Sequence, residues 1–226
     1  MAIDKNLSHF SETSEVFPEV KRTAVRNMLE MQSQMNARVH EQWIDQDFAW
    51  YRAVWIECGE LMDHVGYKWW KKQDPDMDQV QLEVIDIWHF GMSALFKTEP
   101  DLEALAASIS ADLQLDQAVD AGIHEATEAL AQHALQTKSF SVPHFAVLMK
   151  ACGLSPEALY QQYVGKNVLN FFRQDNGYKS GTYIKLWAGR EDNEHLVEIL
   201  ETLDASASDY PKTVYAALSD RYRQAS

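Results

Sequence analysis

The chain has 226 residues, 46% of them apolar and 24% charged, a balance that suits one large globular domain with an ample core. Its formal net charge of −14 offers no basic face to a nucleic-acid polymer and argues against an anionic membrane surface. The two cysteines, Cys58 and Cys152, are far apart and suggest neither a disulfide framework nor a zinc cluster.

Helical periodicity dominates the chain. The N-terminal run has no long apolar core, and no stretch approaches ~18 uninterrupted apolar residues, so neither a signal peptide nor a membrane span is expected and the cytoplasm is the default compartment. Pro18 can open a first helix, predicted from Glu19 to Trp43. A second is predicted from near Gln46 to Tyr67, then a polar loop or cap around Pro75, then a third helix through "QVQLEVIDIWHFGM", Gln79 to Met92. Residues 98–140 are rich in Ala, Leu and acids, as in amphipathic surface helices, and are read as a peripheral helical subdomain. Helices follow from Val142 to Met149, from Ser155 onward, and from Tyr210 to Arg223. Strand signals are scarce. The expectation is an all-α domain with a helical bundle core.

Within the third helix, Glu83 and Asp86 sit among Val80, Leu82, Val84, Ile85, Ile87 and Trp88. Acidic side chains are almost never buried unless something pairs or binds them. The second helix carries a similar pair. Its apolar stripe runs Trp50, Val54, Leu61, Val65, with Glu57 in the stripe and Glu60 three residues later. E-x-x-E on one helix and E-x-x-D on the next, both facing inward, would place four carboxylates in one dry site. They would repel and protonate unless a cation offset them. An all-oxygen donor set favours Mg²⁺, with Mn²⁺ as a substitute. A di-iron site needs two Glu-x-x-His motifs; only Asp86–His89 offers a comparable spacing, so His89 reads as a core or supporting histidine. The bland alternative, two solvated helix faces with salt bridges, suits an isolated E-x-x-E better than two such pairs on consecutive helices.

From Gly165 to Arg190 the chain turns basic. Lys166, Arg173, Lys179, Lys185 and Arg190 face only Asp175, a local surplus of four positive charges, and four of the nine glycines lie here. Glycine allows close backbone approach, and Lys and Arg bind phosphate oxygens. A triphosphate clamp is favoured over a loop whose cations merely balance acidic helices.

Taken together, "WIECGELMDHVGYKWWKK", "EVIDIWHF" and "NFFRQDNGYKSGTYIKLWAGREDN" closely resemble the dimeric dUTP diphosphatases of the all-α nucleoside triphosphate pyrophosphatase (MazG-like) superfamily, over about Glu19 to Asn193. The resemblance implies a single all-α domain over residues 1–226, a homodimer, and Mg²⁺ on Glu57, Glu60, Glu83 and Asp86. It implies hydrolysis of dUTP to dUMP and pyrophosphate, with dUDP also a substrate and attack on the β-phosphorus. That reaction would limit uracil in DNA and supply dUMP. Gln32 (or Gln34) and Asn36 match the residues that contact uracil, and Trp70 (or Trp69) the aromatic element near the base. Asn170, Arg173, Tyr178, Lys179, Tyr183, Lys185 and Arg190 match the segment that closes over sugar and phosphates. Glu57, on the inward stripe, is the expected proton acceptor. The alternative within the superfamily is a pyrophosphatase of other or damaged nucleotides.

Overall fold

The computed structural model describes residues 21–98, 100–205, 207 and 209–225. Nine α-helices and one two-stranded hairpin make up the regular structure among these residues. They are α1 (Arg22–Val39), α2 (Trp50–Val65), α3 (Met77–Leu95), α4 (Leu102–Asp112), α5 (Ile123–Thr137), α6 (Val142–Ala151), α7 (Pro156–Asp175), α8 (Asp192–Thr202) and α9 (Tyr210–Ala225). The hairpin, β1 (Leu186–Trp187) and β2 (Arg190–Glu191), precedes α8. No described helix is long and apolar enough to cross a membrane.

Local chemistry fixes several boundaries. Asp76, Asp101, Ser141 and Ser155 each accept a backbone N–H in the first turn of α3, α4, α6 and α7, replacing partners those groups would otherwise lack. Pro156 then occupies the first position of α7, where its missing N–H costs nothing. Glu191 and Glu194 form a reciprocal capping box at the start of α8. The predicted first helix is shorter than expected: Pro18 lies outside the described residues, α1 ends at Val39, and Trp43 falls in a short 3-10 turn. The helix opened by Ser155 is longer, running ten residues past Gly165 to Asp175. Helix α8 was not foreseen.

α2 and α3 run antiparallel, side by side. Trp50 stacks on Phe90 at 6.3 Å, and the Asp76 N–H donates to the His64 carbonyl at 3.0 Å, so one helix's start lies at the other's end. Glu57 and Glu83 meet midway. α1 and α7 pack against α3 from the other side. The core is continuous: Val25, Met28, Leu61, Ile87, Trp88, Phe145 and Leu169 belong to one apolar cluster. The stretch expected to be peripheral feeds the same cluster through Ile109, Leu113, Leu130 and Ala134, with α4 against α1 and α5 against α2. Gly91 in α3 is needed for this packing, because a Cβ there would come within 2.7 Å of the Phe140 ring.

Candidate active site

A cavity of about 1010 Å³ opens between α1, α2, α3 and α7 and the residues around the hairpin. α3 runs along its floor, and from Glu83 to Ser93 covers about 15 Å of helix axis. The two ends differ in chemistry.

At one end, Glu57, Glu60 and Glu83 offer carboxylate oxygens within 4.8 Å of one another. Glu83 is buried and Glu57 half-buried. Burial pushes the Glu57 carboxyl up to about 8, with Asp86, Glu60 and Glu83 adding to the effect. Burial also raises Glu83, reinforced by Asp86 and opposed by Lys166. Glu57 and Glu83 share a hydrogen bond, which two ionised carboxylates cannot make, so the pair holds a proton when no cation is bound. A proton-holding carboxylate cluster with only oxygen donors fits a hard divalent cation. Asp86 stands slightly apart: its Oδ2 is 2.7 Å from the Lys166 ammonium. Lys166 is only 3% exposed and also donates to Asn193 Oδ1 at 3.2 Å. His64 Nε2 lies 3.5 Å from Glu83.

At the other end lies a buried amide network. Gln32 Nε2 donates to Asn36 Oδ1 (3.1 Å) and to Ser93 Oγ (3.0 Å), and Asn36 Nδ2 donates to Ser93 Oγ (2.9 Å). Gln32 Oε1 accepts from Tyr163 OH (3.0 Å) and contacts His89 Nδ1 (2.7 Å). The His89 ring stacks on Tyr163 at 4.4 Å, and its Nε2 is buried with no protein partner. Burial drives its pKa down to about 4, so the ring is neutral at ordinary pH. Trp43, Phe48, Trp50 and Phe90 form an aromatic wall on this side of the cavity.

A cation-ready carboxylate pole and a pyrimidine-sized polar and aromatic pole thus share one cavity. The family model described as dUTPase matches residues 24–178. The chain belongs to the dUTPase family. Its activity is that of a dUTP diphosphatase. A search of curated proteins finds no match.

In this dUTPase the structure brings together Glu57, Glu60, Glu83, Asp86, Gln32, Asn36, Asn170, Arg173, Tyr178 and Lys185, all of which line the cavity. It does not bring the others there. Trp69 and Trp70 are 91% and 61% exposed on the α2–α3 connection, packed edge-to-face on each other and outside the cavity lining. The aromatic wall comes from Trp43, Phe48, Trp50 and Phe90 instead. Lys179 is exposed and off the lining. Arg190 pairs with Glu198 and Glu194 on α8. Tyr183 donates to Asp192 Oδ2 at 2.7 Å. Gln34 is exposed and Gln32 buried, which separates those two candidates. Arg173, although at the cavity, is held by a two-pronged contact to Asp192 at 2.8 and 2.7 Å. Burial alone would raise the Asp192 carboxyl, but Arg173 and Tyr183 hold it below the usual range. That pairing anchors α8 to α7 and aims the remaining guanidinium nitrogen at Asn170 (3.3 Å).

Three lining residues escaped the sequence reading as site members. Lys166 was counted only as part of a basic run. His89 was read as a core or supporting histidine, yet it has one unpartnered nitrogen. Asn193 lay in a quoted motif without a role. The available signal was Lys166 in the middle of an otherwise apolar helix stretch, "YVGKNVLN", where a buried cation demands an anionic partner.

Proposed function

We propose that this dUTPase hydrolyses dUTP to dUMP and pyrophosphate in a Mg²⁺-dependent reaction, with the triphosphate at the carboxylate pole and the uracil at the amide pole. The observation that carries this reading is the proton-sharing Glu57–Glu83 pair within the three-carboxylate cluster. Glu57, Glu60, Glu83 and, on release from Lys166, Asp86 would hold the cation. When bound, a divalent ion offsets negative charge on phosphate oxygens and makes a nearby water more acidic.

The protein's own groups divide the remaining work. Glu57 and Glu83 carry the proton that the cation displaces, and Glu57, raised and half-buried, is the proton acceptor for the attacking water. Lys166 is positioned to move its ammonium from Asp86 toward a phosphate oxygen. Lys185, now paired with Glu191 at 2.9 Å, and Arg173 face the same end. They supply positive charge where the leaving pyrophosphate gains negative charge. Asn170 and Tyr178 lie between the poles and suit the sugar. The loop carrying Lys179, Tyr183 and Arg190 bends at Gly177, Gly181 and Gly189, all at positive φ, and closure there would bring further cations to the phosphates.

At the base end, Asn36 retains one N–H and one oxygen lone pair after its internal bonds, and His89 retains a bare Nε2. Uracil presents an N–H flanked by two carbonyls, so an acceptor beside a donor matches its edge. Cytosine, whose ring nitrogen at that position is itself an acceptor, would oppose Nε2. dUDP keeps the same base edge and fits the reading as a second substrate. A homodimer also belongs to it; sedimentation at twice the 25.9 kDa chain mass is the expected result. The test of function is pyrophosphate release with Mg²⁺ from dUTP, dCTP, dTTP and UTP in parallel. Turnover of dUTP alone, abolished by chelation, is expected. Preference for another triphosphate would favour a pyrophosphatase of other nucleotides.

A further inference from the structure

Gln32 lines the cavity, yet its amide has nothing left to offer a ligand. Both amide hydrogens are committed, to Asn36 Oδ1 and Ser93 Oγ, and both lone pairs of its oxygen face Tyr163 OH and His89 Nδ1. The orientation of that amide is forced from one place. Ser93 Oγ donates its single proton to the His89 carbonyl one turn back, at 2.9 Å. Ser93 can therefore only accept from Gln32 and Asn36, so the –NH₂ of Gln32 must face Ser93 and its oxygen must face the imidazole. An oxygen 2.7 Å from Nδ1 requires the ring proton on Nδ1. Nε2 is then the bare, partnerless acceptor left in the cavity wall.

We infer that Ser93 and Gln32 form a fixed hydrogen-bond chain that sets the tautomer of His89, and that Gln32 is a positioning residue acting through that ring rather than a base contact. The inference rests on the reading that the amide pole holds the pyrimidine. Its chemical consequence is selectivity. An acceptor at Nε2 takes a ring N–H and repels a ring nitrogen lone pair, so the dUTP-over-dCTP preference depends on a serine that never touches the base. Tyr163 closes the chain from behind, its hydroxyl lying between the Met28 carbonyl at 2.9 Å and Gln32 Oε1.

The experiment reads both the ring and the selectivity, in the intact chain. Isotope-edited nitrogen NMR of the unmutated protein should find His89 protonated on Nδ1 and bare at Nε2; a proton on Nε2 overturns the proposal without any variant. Ser93→Ala frees the Gln32 amide to turn over. It should mix the two tautomers and lower kcat/KM for dUTP about tenfold, the scale of one lost hydrogen bond. The loss should fall mainly in KM, with a smaller dUTP-to-dCTP ratio. Ser93→Thr, which keeps the hydroxyl, should restore both the tautomer and the ratio. A Ser93→Ala protein with a single tautomer and an unchanged ratio overturns the proposal. An unmutated protein that fails to turn over dUTP sinks the functional reading, while the tautomer measurement still decides the hydrogen-bond chain.

Discussion

Two side chains at the carboxylate pole behave in opposite ways, and each makes a prediction. Glu83 is buried against α2 and shares a proton with Glu57. Glu83→Gln keeps the shape and the hydrogen bond but removes a charge the cation needs. Activity should fall on the order of 100-fold or more, with far-ultraviolet circular dichroism unchanged; a variant at full turnover would remove Glu83 from the metal site. Asp86 is held by Lys166 in a pair whose lysine side chain is 4% exposed and whose aspartate is 21% exposed. Lys166→Met preserves the stem volume and leaves the carboxylate unpaired. Breaking such a pair costs several kcal/mol when fully buried; with Asp86 partly solvated, about 2 kcal/mol is expected from urea unfolding in chelator. Because Mg²⁺ can replace the lost ammonium at Asp86, added Mg²⁺ should recover stability in the variant by more than in the parent protein. Equal gains in both would mean that Asp86 does not share in cation binding.

The seam between α2 and α3 stores this electrostatic frustration, and pH exposes it. Glu57 titrates near 8 in the fold against an ordinary value of 4.5, and Glu83 is displaced the same way. Across that window the folded state binds more protons than the unfolded chain, so stability falls as pH rises. His89 opposes it. Its folded pKa of about 4 lies below the ordinary 6.5, so the unfolded chain binds the extra proton and stability falls as pH drops through that range. Between about 6.5 and 8 only the carboxylates remain active. Metal-free protein should therefore have a lower urea midpoint at pH 8 than at pH 6.5, and saturating Mg²⁺ should flatten the difference by taking the place of the shared proton. A slope of the opposite sign would show that Glu57 and Glu83 are already ionised without metal.

The same seam was the most legible part of the sequence. E-x-x-E and E-x-x-D depend on spacing within single helices, and a helical period of 3.6 aligns positions three apart whatever the rest of the chain does. What could not be read depends on partners distant along the chain. Lys166 meets Asp86 across eighty positions, and Ser93 meets Gln32 at a separation of 61. The basic run looked like one loop because its cations were counted without their partners. In the fold it divides into the end of α7, a hairpin, and the edge of α8, whose acids neutralise Arg173 and Arg190. Helix α8 itself hid behind that run: its start is a capping box, Glu191 with Glu194, immediately after a hairpin turn in which Ala188 and Gly189 both take positive φ.

At the scale of the whole molecule, the cavity couples elements that the chain order keeps apart. α1, α2, α3 and α7 each contribute to its wall, and α4 and α5 pack behind α1 and α2 in the same apolar cluster. A ligand that binds only the assembled cavity stabilises everything that must be in place to assemble it. With Mg²⁺ and a non-hydrolysable imido analogue of dUTP at 100 times its Kd, the gain is about 2.7 kcal/mol. For a chain of this length that corresponds to a rise of about 5–10 °C in Tm. The increase should appear in one cooperative transition. Amides of α5, far along the chain from any ligand contact, should gain hydrogen-exchange protection in parallel with those of α3, because Leu130 and Ala134 share the core with Ile87 and Trp88. If the α4–α5 segment instead exchanged freely with and without ligand, while α2 and α3 were protected, it would be an independent unit resting on the catalytic bundle. The continuous apolar packing argues for the first outcome, since no polar seam separates the two groups of buried side chains.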